Sequence, residues 1–395
     1  MTNTTKVVIY DTGNQTVSDS QQIRIVPVST RRELEQFIRL PWSIYAADPH
    51  WIPPLLFERR QHLSKKNPYF EHAEWRSWLA WRQHRLVGRI SAQVDRLHLE
   101  LHQDATGFFG MLEAIDDPAV FDALLTTAES WLRAQGLRQV LGPYSLSIND
   151  ECGLLVEGFE TPPAMMMGHA HPYYAGRLEE QGYVKAKDLL AYRIGDDFVM
   201  SRAMDVVVRK AANRVRLRTL DRSQLEQDLS LLRDIFNDSW SQNWNFVPFT
   251  EAEFRHMGRD LARLLPDDFV QIAEVDGVPA AMAILMPNLN EIIRDLNGRL
   301  LPFGWLKLLW RLKRAYPGTA RVPLLGVRKR YQQSMLGAAL SVLLIEGMRV
   351  AGIKRGIEEV ELSWILEDNM KMRRLIEDLG GTIYKRYRLY RKVLT

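Results

Sequence analysis

Residues 182–193 read GYVKAKDLLAYR, and residues 380–391 read GGTIYKRYRLYR. Each is G-x4-K-x4-Y-R: Gly182, Lys187, Tyr192 and Arg193 are answered 198 positions later by Gly380, Lys385, Tyr390 and Arg391. Working outward, His171 and Asn369 stand eleven residues before the respective glycines, each followed by an amphipathic segment, PYYAGRLEEQ or MKMRRLIEDL. Further upstream, GLRQV at 136–140 echoes GIEEV at 356–360, and LAWRQHRLVGRISA at 79–92 echoes IAEVDGVPAAMAI at 272–284. The entries agree as well, IRIVPVSTRREL at 23–34 beside VRLRTLDRSQLE at 215–226. Matches that keep their order along two halves mark a tandem duplication. Offsets near 192, 193, 220 and 198 require an extra stretch in the first copy, expected within 149–165.

The order within a copy gives the fold class. A short strand leads to a helix with a polar N-cap, Ser29 or Asp221, whose side-chain oxygen satisfies free helical N–H groups. A strand-turn-strand pair follows; in the second copy the turn holds Asp276-Gly277, a step that suits tight hairpins because glycine accepts positive φ. Strand 322–327, helix 334–350, strand 360–365 and helix 370–379 complete that copy. Antiparallel strands followed by strand-helix-strand units make an α/β (α+β) fold, a mixed, largely antiparallel twisted sheet flanked by helices. The expected division is a loose tail at 1–21, a first domain at 22–195, a linker helix at 196–214 and a second domain at 215–395.

Composition sets bounds. A chain of 395 residues, 46% hydrophobic, builds two full cores. One cysteine, Cys152, excludes a disulfide framework and fits a reducing, cytoplasmic setting. The first residues are too polar for a signal peptide. No apolar run approaches the ~20 residues that cross a bilayer, and the longest, 335–345, reads as a buried helix.

Net charge is only +4, yet the stretch 296–345 contains no acidic residue. Within it, 298–318 reads as a basic amphipathic insertion. At helical spacing Leu301, Trp305, Leu308, Leu309 and Leu312 share one face, Lys307, Arg311 and Arg314 share another, and Trp310 lies near the boundary. Such a helix suits a membrane interface, with tryptophan at headgroup depth and cations near anionic lipid. It equally suits an insertion packed on its own core or on another subunit. The tryptophans are not spaced as base-stacking platforms, so no nucleic acid is expected as partner.

The stretch after this insertion reads PLLGVRKRYQQSMLGAAL from Pro323. A strand ends at Val327, a basic turn follows and an apolar helix starts near Ser334. Backbone N–H groups in such a turn converge on one volume and attract a pyrophosphate. The turn resembles the cofactor loop of the GNAT acyltransferase superfamily, R/Q-x-x-G-x-G/A after a strand ending in Val. Gln332 and Gly337 take its outer places, and Met335 stands where the middle glycine is usual. The strand, Asn369 and the helix ending at Leu379-Gly380 extend the resemblance, which covers residues 22–395 as two domains. It implies acyl-CoA as co-substrate, with no metal, bound by Leu325, Gly326, Val327, Arg328, Arg330, Gln332, Gln333, Ser334, Met335, Leu336, Gly337, Ala338 and Asn369. The first copy has an acidic turn there (GMLEAIDDPAVFDALL) and is expected to shape the acceptor instead.

GPYSLSINDECGLLVEGFETPP and SWILEDNMKMRRLIEDLGGTIYKRYRLY further resemble the tandem-GNAT group that includes bacterial ceramide synthases. That resemblance implies transfer of a long-chain acyl group, from acyl-CoA or an acyl carrier protein, to the amine of a sphingoid base, 3-oxosphinganine or sphinganine. It also implies work at the inner face of the cytoplasmic membrane, with Trp305, Lys307, Trp310, Arg311 and Arg314 giving access. A soluble acetyltransferase of a small amine or peptide, and a non-catalytic CoA- or lipid-binding module, are the competing readings.

Amine attack on a thioester needs a proton acceptor. The candidates are Glu367, past a strand end; Asp150 and Glu151, on the stretch unique to the first copy; and His169 and His171, in GHAHPYY. The H-x-H pair lacks nearby Cys or His to complete a metal site. Ile376 occupies the place where many GNAT enzymes carry a tyrosine acid, and Tyr384 or Tyr387 substitutes only if the last strand turns inward. Met165, Met166 and Met167 are candidates to line an acyl groove.

Overall fold

The computed structural model describes residues 8–9 and 22–395 of the chain. Of the tail expected at 1–21, Val8–Ile9 forms strand β1, and the rest lies outside the described residues. The chain divides into two compact units, Met1–Pro162 with Met167–Asp188 and Tyr387–Thr395, and Pro163–Met166 with Leu189–Arg386.

In the first unit β1 pairs with β2 (Ile23–Pro27), which continues antiparallel through β3 (Ala73–Arg82), β4 (Arg85–Asp95) and β5 (Thr106–Ala114). Helix α1 (Arg31–Arg39) follows β2. Its N-cap is Thr30 rather than Ser29: the Thr30 hydroxyl accepts from Glu33 N–H and the Glu33 carboxylate accepts from Thr30 N–H, a reciprocal capping box. Helix α2 (Pro118–Ala134) crosses over to β6 (Gln139–Gly142), which lies parallel to β5. Strand β7 (Leu154–Glu157) and helix α3 (Tyr173–Glu180) follow, and β8 (Val184–Gly195) ends the copy.

The second unit repeats this order. Helix α4 (Arg202–Ala211), within the expected linker, precedes β9 (Val215–Thr219). Asp221 caps a short 3-10 turn, Arg222–Gln224, before helix α5 (Leu225–Trp240). Helix α6 (Glu251–Leu264) follows, opened by a second capping box, Thr250 with Glu253. Strands β10 (Val270–Val275) and β11 (Val278–Pro287) form the expected hairpin. An excursion carries helix α7 (Gly304–Arg314) before β12 (Thr319–Val327). Helix α8 (Met335–Ile353) crosses over to β13 (Glu359–Leu366), parallel to β12, and α9 (Met370–Asp378) leads to β14 (Thr382–Val393). Helix α8 is long and apolar enough to cross a membrane, but Leu340, Leu344, Met348 and Ala351 are buried in the core against β10–β12. It is the crossover helix of a parallel pair, which has to be covered on its faces.

The duplication is therefore structural. Gly182 and Gly380 take φ of +80° and +92° directly after α3 and α9, the left-handed helix end that glycine adopts without strain. The offset between equivalent strands is 192 at β2/β9, 213 at β5/β12, 220 at β6/β13 and 198 at β8/β14. The first jump is the excursion carrying α7. Part of the second is the loop after β12, 328–334, where the first copy has only 115–117. The final drop is the stretch between β6 and α3, peculiar to the first copy.

Each copy's last strand passes from its own unit into the other. Residues 189–195 of β8 pair with β13 in the second unit, and residues 390–393 of β14 pair with β6 in the first. The unit boundaries thus fall inside β8 and β14 and not at the boundary of 195 read from the repeat.

Candidate active site

In the second unit β12 and β13 pair in parallel only from Thr319↔Glu359 to Val322↔Leu362. Both strands then continue, β12 to Val327 and β13 to Leu366, without pairing to each other. On its other edge β12 stays hydrogen-bonded to β11, through Leu324↔Ile284 to Val327↔Ala281. The divergence opens a wedge along roughly 16 Å of strand, five residues at about 3.3 Å each. Leu325, Gly326 and Val327 lie on this open edge.

The wedge leads to the loop at 328–334. Its short helical turn, Lys329–Gln332, is braced from several sides. The Gln332 side-chain amide donates to Val327 O (2.8 Å) and Ser239 O (2.9 Å), Arg328 Nε donates to Pro279 O (3.1 Å), and Lys329 N–H donates to Asp238 Oδ2 (2.9 Å). Gln332 and Arg328 hold the loop's shape, while Lys329 and Arg330 remain exposed. Ser334 caps α8 by accepting from Gly337 N–H (3.1 Å). A Cβ on Gly337 would lie 2.1 Å from Tyr331 O, so the helix start and the turn approach as closely as glycine permits. Met335 is 58% exposed and does not fill the space under the turn. The exposed segment Gln333, Ser334, Met335 and Ala338, with half-buried Leu336, forms the first turn of α8 and its approach, where helical N–H groups lack internal partners. This donor set suits a pyrophosphate.

At the vertex of the wedge lies a buried polar network that the sequence reading missed. Arg321, Glu361 and Ser363 are 3%, 5% and 2% exposed. Arg321 Nε donates to Ser363 Oγ (2.8 Å), and its terminal nitrogens donate to Ser363 O (3.2 Å) and Met165 O (3.1 Å). The Glu361 carboxylate accepts from Ser363 Oγ and from the Tyr384 hydroxyl, with Arg321 Nε 3.6 Å away. Tyr384 therefore turns inward. Ile376 is fully buried with Leu190 and Tyr192.

The other candidates occupy different settings. Glu367 lies past the end of β13, where its carbonyl accepts from Arg373 (2.8 Å). Asn369 is the N-cap of α9, accepting from Met372 N–H (3.3 Å). Asp150 accepts from Ser147 Oγ (3.0 Å), and Glu151 pairs with Arg59. His169 Nε2 lies 2.8 Å from Asp48 Oδ2, and His171 Nε2 lies 3.1 Å from Ile44 O. Burial pushes the Asp48 carboxyl up, but the hydrogen bonds from His169 and His50 outweigh it and hold the group below its usual range.

In the first unit the corresponding wedge is filled by the chain itself. Strand β5 pairs with β6 only from Thr106 to Phe108. Beyond that point Tyr144 N–H donates to Phe109 O (2.8 Å), and Gln93 Nε2 donates to Tyr144 O (3.0 Å) and Leu146 O (2.9 Å). A Cβ on Gly110 would sit 1.5 Å from Tyr144 O. Near the end of β5, Glu113 accepts from Tyr45 (2.7 Å) and Tyr174 (2.8 Å), with Arg89 3.7 Å away. Burial pushes the Glu113 carboxyl up, Arg89 and the two phenols offsetting part of it. Nothing in GMLEA announces this group: it reads as one polar residue in a strand.

The predicted amphipathic helix is present as α7, with its apolar face largely exposed. The excursion bearing it is closed at its neck, with Asn288 N–H donating to Thr319 O (3.0 Å) and the Glu291 carboxylate accepting from Gly318 and Thr319 N–H (3.0 and 2.9 Å). Arg311 donates to Asp295 Oδ1 (2.6 Å), Asp295 Oδ2 (2.9 Å) and Ile292 O (2.6 Å), and Lys307 pairs with the same Asp295. Lys307 and Arg311 are thus not free surface cations, as the sequence pattern suggested; they anchor the helix. Leu301, Phe303 and Trp310 are 78%, 72% and 62% exposed, and Trp305, Leu306 and Leu309 are also exposed. Lys313 and Arg314 stay exposed beside them.

No protein-family model matches the chain. It is 49% identical over 363 residues to Protein YghO of Escherichia coli (strain K12), covering 92% of this chain and 93% of that protein. It is 47% identical over 383 residues to the Bacterial ceramide synthase of Caulobacter vibrioides (strain NA1000 / CB15N), covering 95% and 99%. Among solved structures, a tandem GNAT protein from the clavulanic acid biosynthesis pathway shares the fold with a TM-score of 0.55 at 13% identity, over 94% of this chain and 99% of that one. A GCN5-related glucosamine N-acetyltransferase region of a fungal multi-domain β-N-acetylglucosaminidase gives 0.57 at 13% identity, over 94% and 38%. The chain, an acyltransferase with a tandem-GNAT fold, belongs to the family of Protein YghO and the Bacterial ceramide synthase.

Proposed function

We propose that this acyltransferase moves a long-chain fatty acyl group from acyl-CoA to the amine of a sphingoid base, 3-oxosphinganine or sphinganine, forming a ceramide. The observation that carries the reading is the asymmetry between the two copies. The second has an open wedge ending at a basic loop and a helix N-terminus, and the first has filled the same place with Tyr144. The donor belongs in the second unit, with its pyrophosphate at residues 328–338 and its thioester along Leu325, Gly326 and Val327. The acceptor role falls to the first unit.

The chemistry asked of the site is amine attack on a thioester. A neutral nitrogen attacks, and the carbonyl oxygen gains charge that a strand N–H of the open edge stabilises. Burial of an acyl tail is worth about 0.8 kcal/mol per methylene, so a long chain requires apolar lining. Met165 and Met166, packed against the second unit's core, supply adaptable surface of that kind. The substrates are membrane lipids or their precursors, which gives the exposed apolar face of α7 a purpose. It rests in the interface of the inner leaflet, with Lys313 and Arg314 toward anionic headgroups.

The test is mass spectrometry of products from purified protein given palmitoyl-CoA and either sphingoid base, with acetyl-CoA in parallel. An N-acylated sphingoid base formed with the long-chain donor supports the reading. Acetylation alone would replace it with a soluble acetyltransferase, and no CoA release from any donor would sink it.

A further inference from the structure

We infer that Glu361, held by Arg321, Ser363 and Tyr384 at the point where β12 and β13 part, is the proton acceptor of the acyl transfer. The inference rests on the reading of the wedge as the acyl-CoA site.

Position argues first. Arg321 and Glu361 face each other in the last register but one before the strands diverge, and Ser363 is the first residue beyond the last pair. A thioester lying along the open edge of β12, with its pyrophosphate at the loop after Val327, carries its acyl end toward that vertex. Chemistry argues second. Packing an arginine, a glutamate, a serine and a tyrosine hydroxyl into the middle of a sheet is not what stability favours, because apolar residues of similar volume usually serve as well or better. The groups around Glu361 come from both strands beside β13 and from β14, the next strand beyond β8. Arg321 approaches from β12, Arg193 stands opposite it on β8, and Tyr384 and Lys385 come from β14. Arg321 also grips the carbonyl of Met165, so one side chain ties the vertex to the methionines expected to meet the acyl tail.

The step balances within these residues. The amine nitrogen bonds to the carbonyl carbon and the C–S bond breaks. The proton shed by nitrogen goes to Glu361, the departing thiolate takes the phenolic proton of Tyr384, and Glu361 then restores that proton to the phenolate. One proton passes from nitrogen to sulfur, and both side chains end as they began. Three of the five groups singled out from sequence are committed elsewhere: His169 to Asp48, Glu151 to Arg59, Asp150 to the turn at Ser147.

The experiment measures CoA release over pH 6–10 for the wild type, Glu361→Gln, Glu361→Asp and Tyr384→Phe, with circular dichroism and calorimetric CoA binding on each. General base catalysis contributes about 10²–10⁴-fold. Glu361→Gln is expected to lower kcat by about 10²-fold or more, with KM for acyl-CoA and affinity for CoA kept within a few-fold. A folded Glu361→Gln protein with wild-type kcat and pH profile would overturn the inference. If that variant does not fold, Glu361→Asp and Tyr384→Phe decide: loss of kcat with KM retained upholds the inference, and wild-type kcat in both overturns it. Absence of CoA release from the wild type itself would instead strike the reading of the wedge.

Discussion

Arg388, on the last strand of the second copy, grips Asp188, on the last strand of the first, with Nε–Oδ1 at 2.8 Å and Nη2–Oδ2 at 3.2 Å. Lys185 Nζ adds a third contact at 3.0 Å, and Asp188 is buried. Equivalent ends of a duplicated chain are thus tied through one carboxylate.

Asp188→Asn keeps the shape and removes the charge. Charge-assisted hydrogen bonds contribute about 1.5–3 kcal/mol, so the variant is expected to lose roughly 2 kcal/mol in urea unfolding at pH 7. Burial pushes the Asp188 carboxyl up, yet the bonds from Arg388 and Lys185 prevail and hold it below its ordinary 3.8. A depressed carboxyl stabilises above its unfolded pKa and loses that contribution as pH falls through the folded value. The difference between wild type and Asp188→Asn should therefore shrink below about pH 4. A difference that stays constant down to pH 2 would refute the assignment.

Gly337→Ala places a methyl on Tyr331 O. The turn at 329–332 must then move away from the start of α8 and spoil the convergence of N–H groups. Calorimetry should show CoA affinity falling about tenfold or more, or 1.4 kcal/mol, alongside a lowered melting temperature, because the clash is with backbone. Unaltered CoA affinity would remove the loop from the donor site.

Gly110→Ala meets the carbonyl of Tyr144, which is backbone and cannot rotate aside. Overpacking of this kind typically costs 1–3 kcal/mol, and here the upper end is expected. The substitution should destabilise the fold without creating a second CoA site, so the stoichiometry in calorimetry stays at one.

Asp295 is half-exposed and holds both Lys307 and Arg311. Exposed ion pairs contribute about 0–1 kcal/mol each, so Asp295→Asn should leave global stability nearly unchanged. Hydrogen exchange of α7 should nonetheless quicken, because those pairs seat the helix. Trp305→Ser with Leu309→Ser and Trp310→Ser removes apolar surface and no anchor; vesicle flotation is expected to be lost. Retained flotation would end the membrane reading.

Much of the fold was legible because glycine and turn chemistry are local. G-x4-K-x4-Y-R located two strands of equal length, and the basic stretch after Val327 located the turn and helix start. The helix-cap error at Ser29 arose because two adjacent hydroxyl residues both contact Glu33, and only the backbone of Thr30 has the capping geometry. The seating of α7 was not legible, because the pattern 305–314 says which residues share a face but not that Asp295 pairs with Lys307 and Arg311 of the cationic one. Glu361 and Arg321 were hidden for a related reason. Alternation in a strand marks a face, and a charge on an inner face looks like a solvated one until the neighbouring strand supplies its partner.

The passage of residues 390–393 into pairing with β6 has a temporal consequence. The first unit's sheet waits for a strand synthesised about two hundred residues after its own last helix. Folding of this protein is therefore not a matter of one half settling before the next arrives. The early half emerges with an unpaired edge on β6, a surface that invites chaperones or other copies until the final strand closes it. Neither copy can be cut away, duplicated alone or replaced as a module without leaving its counterpart short of a strand, which locks the two into a single unit of inheritance.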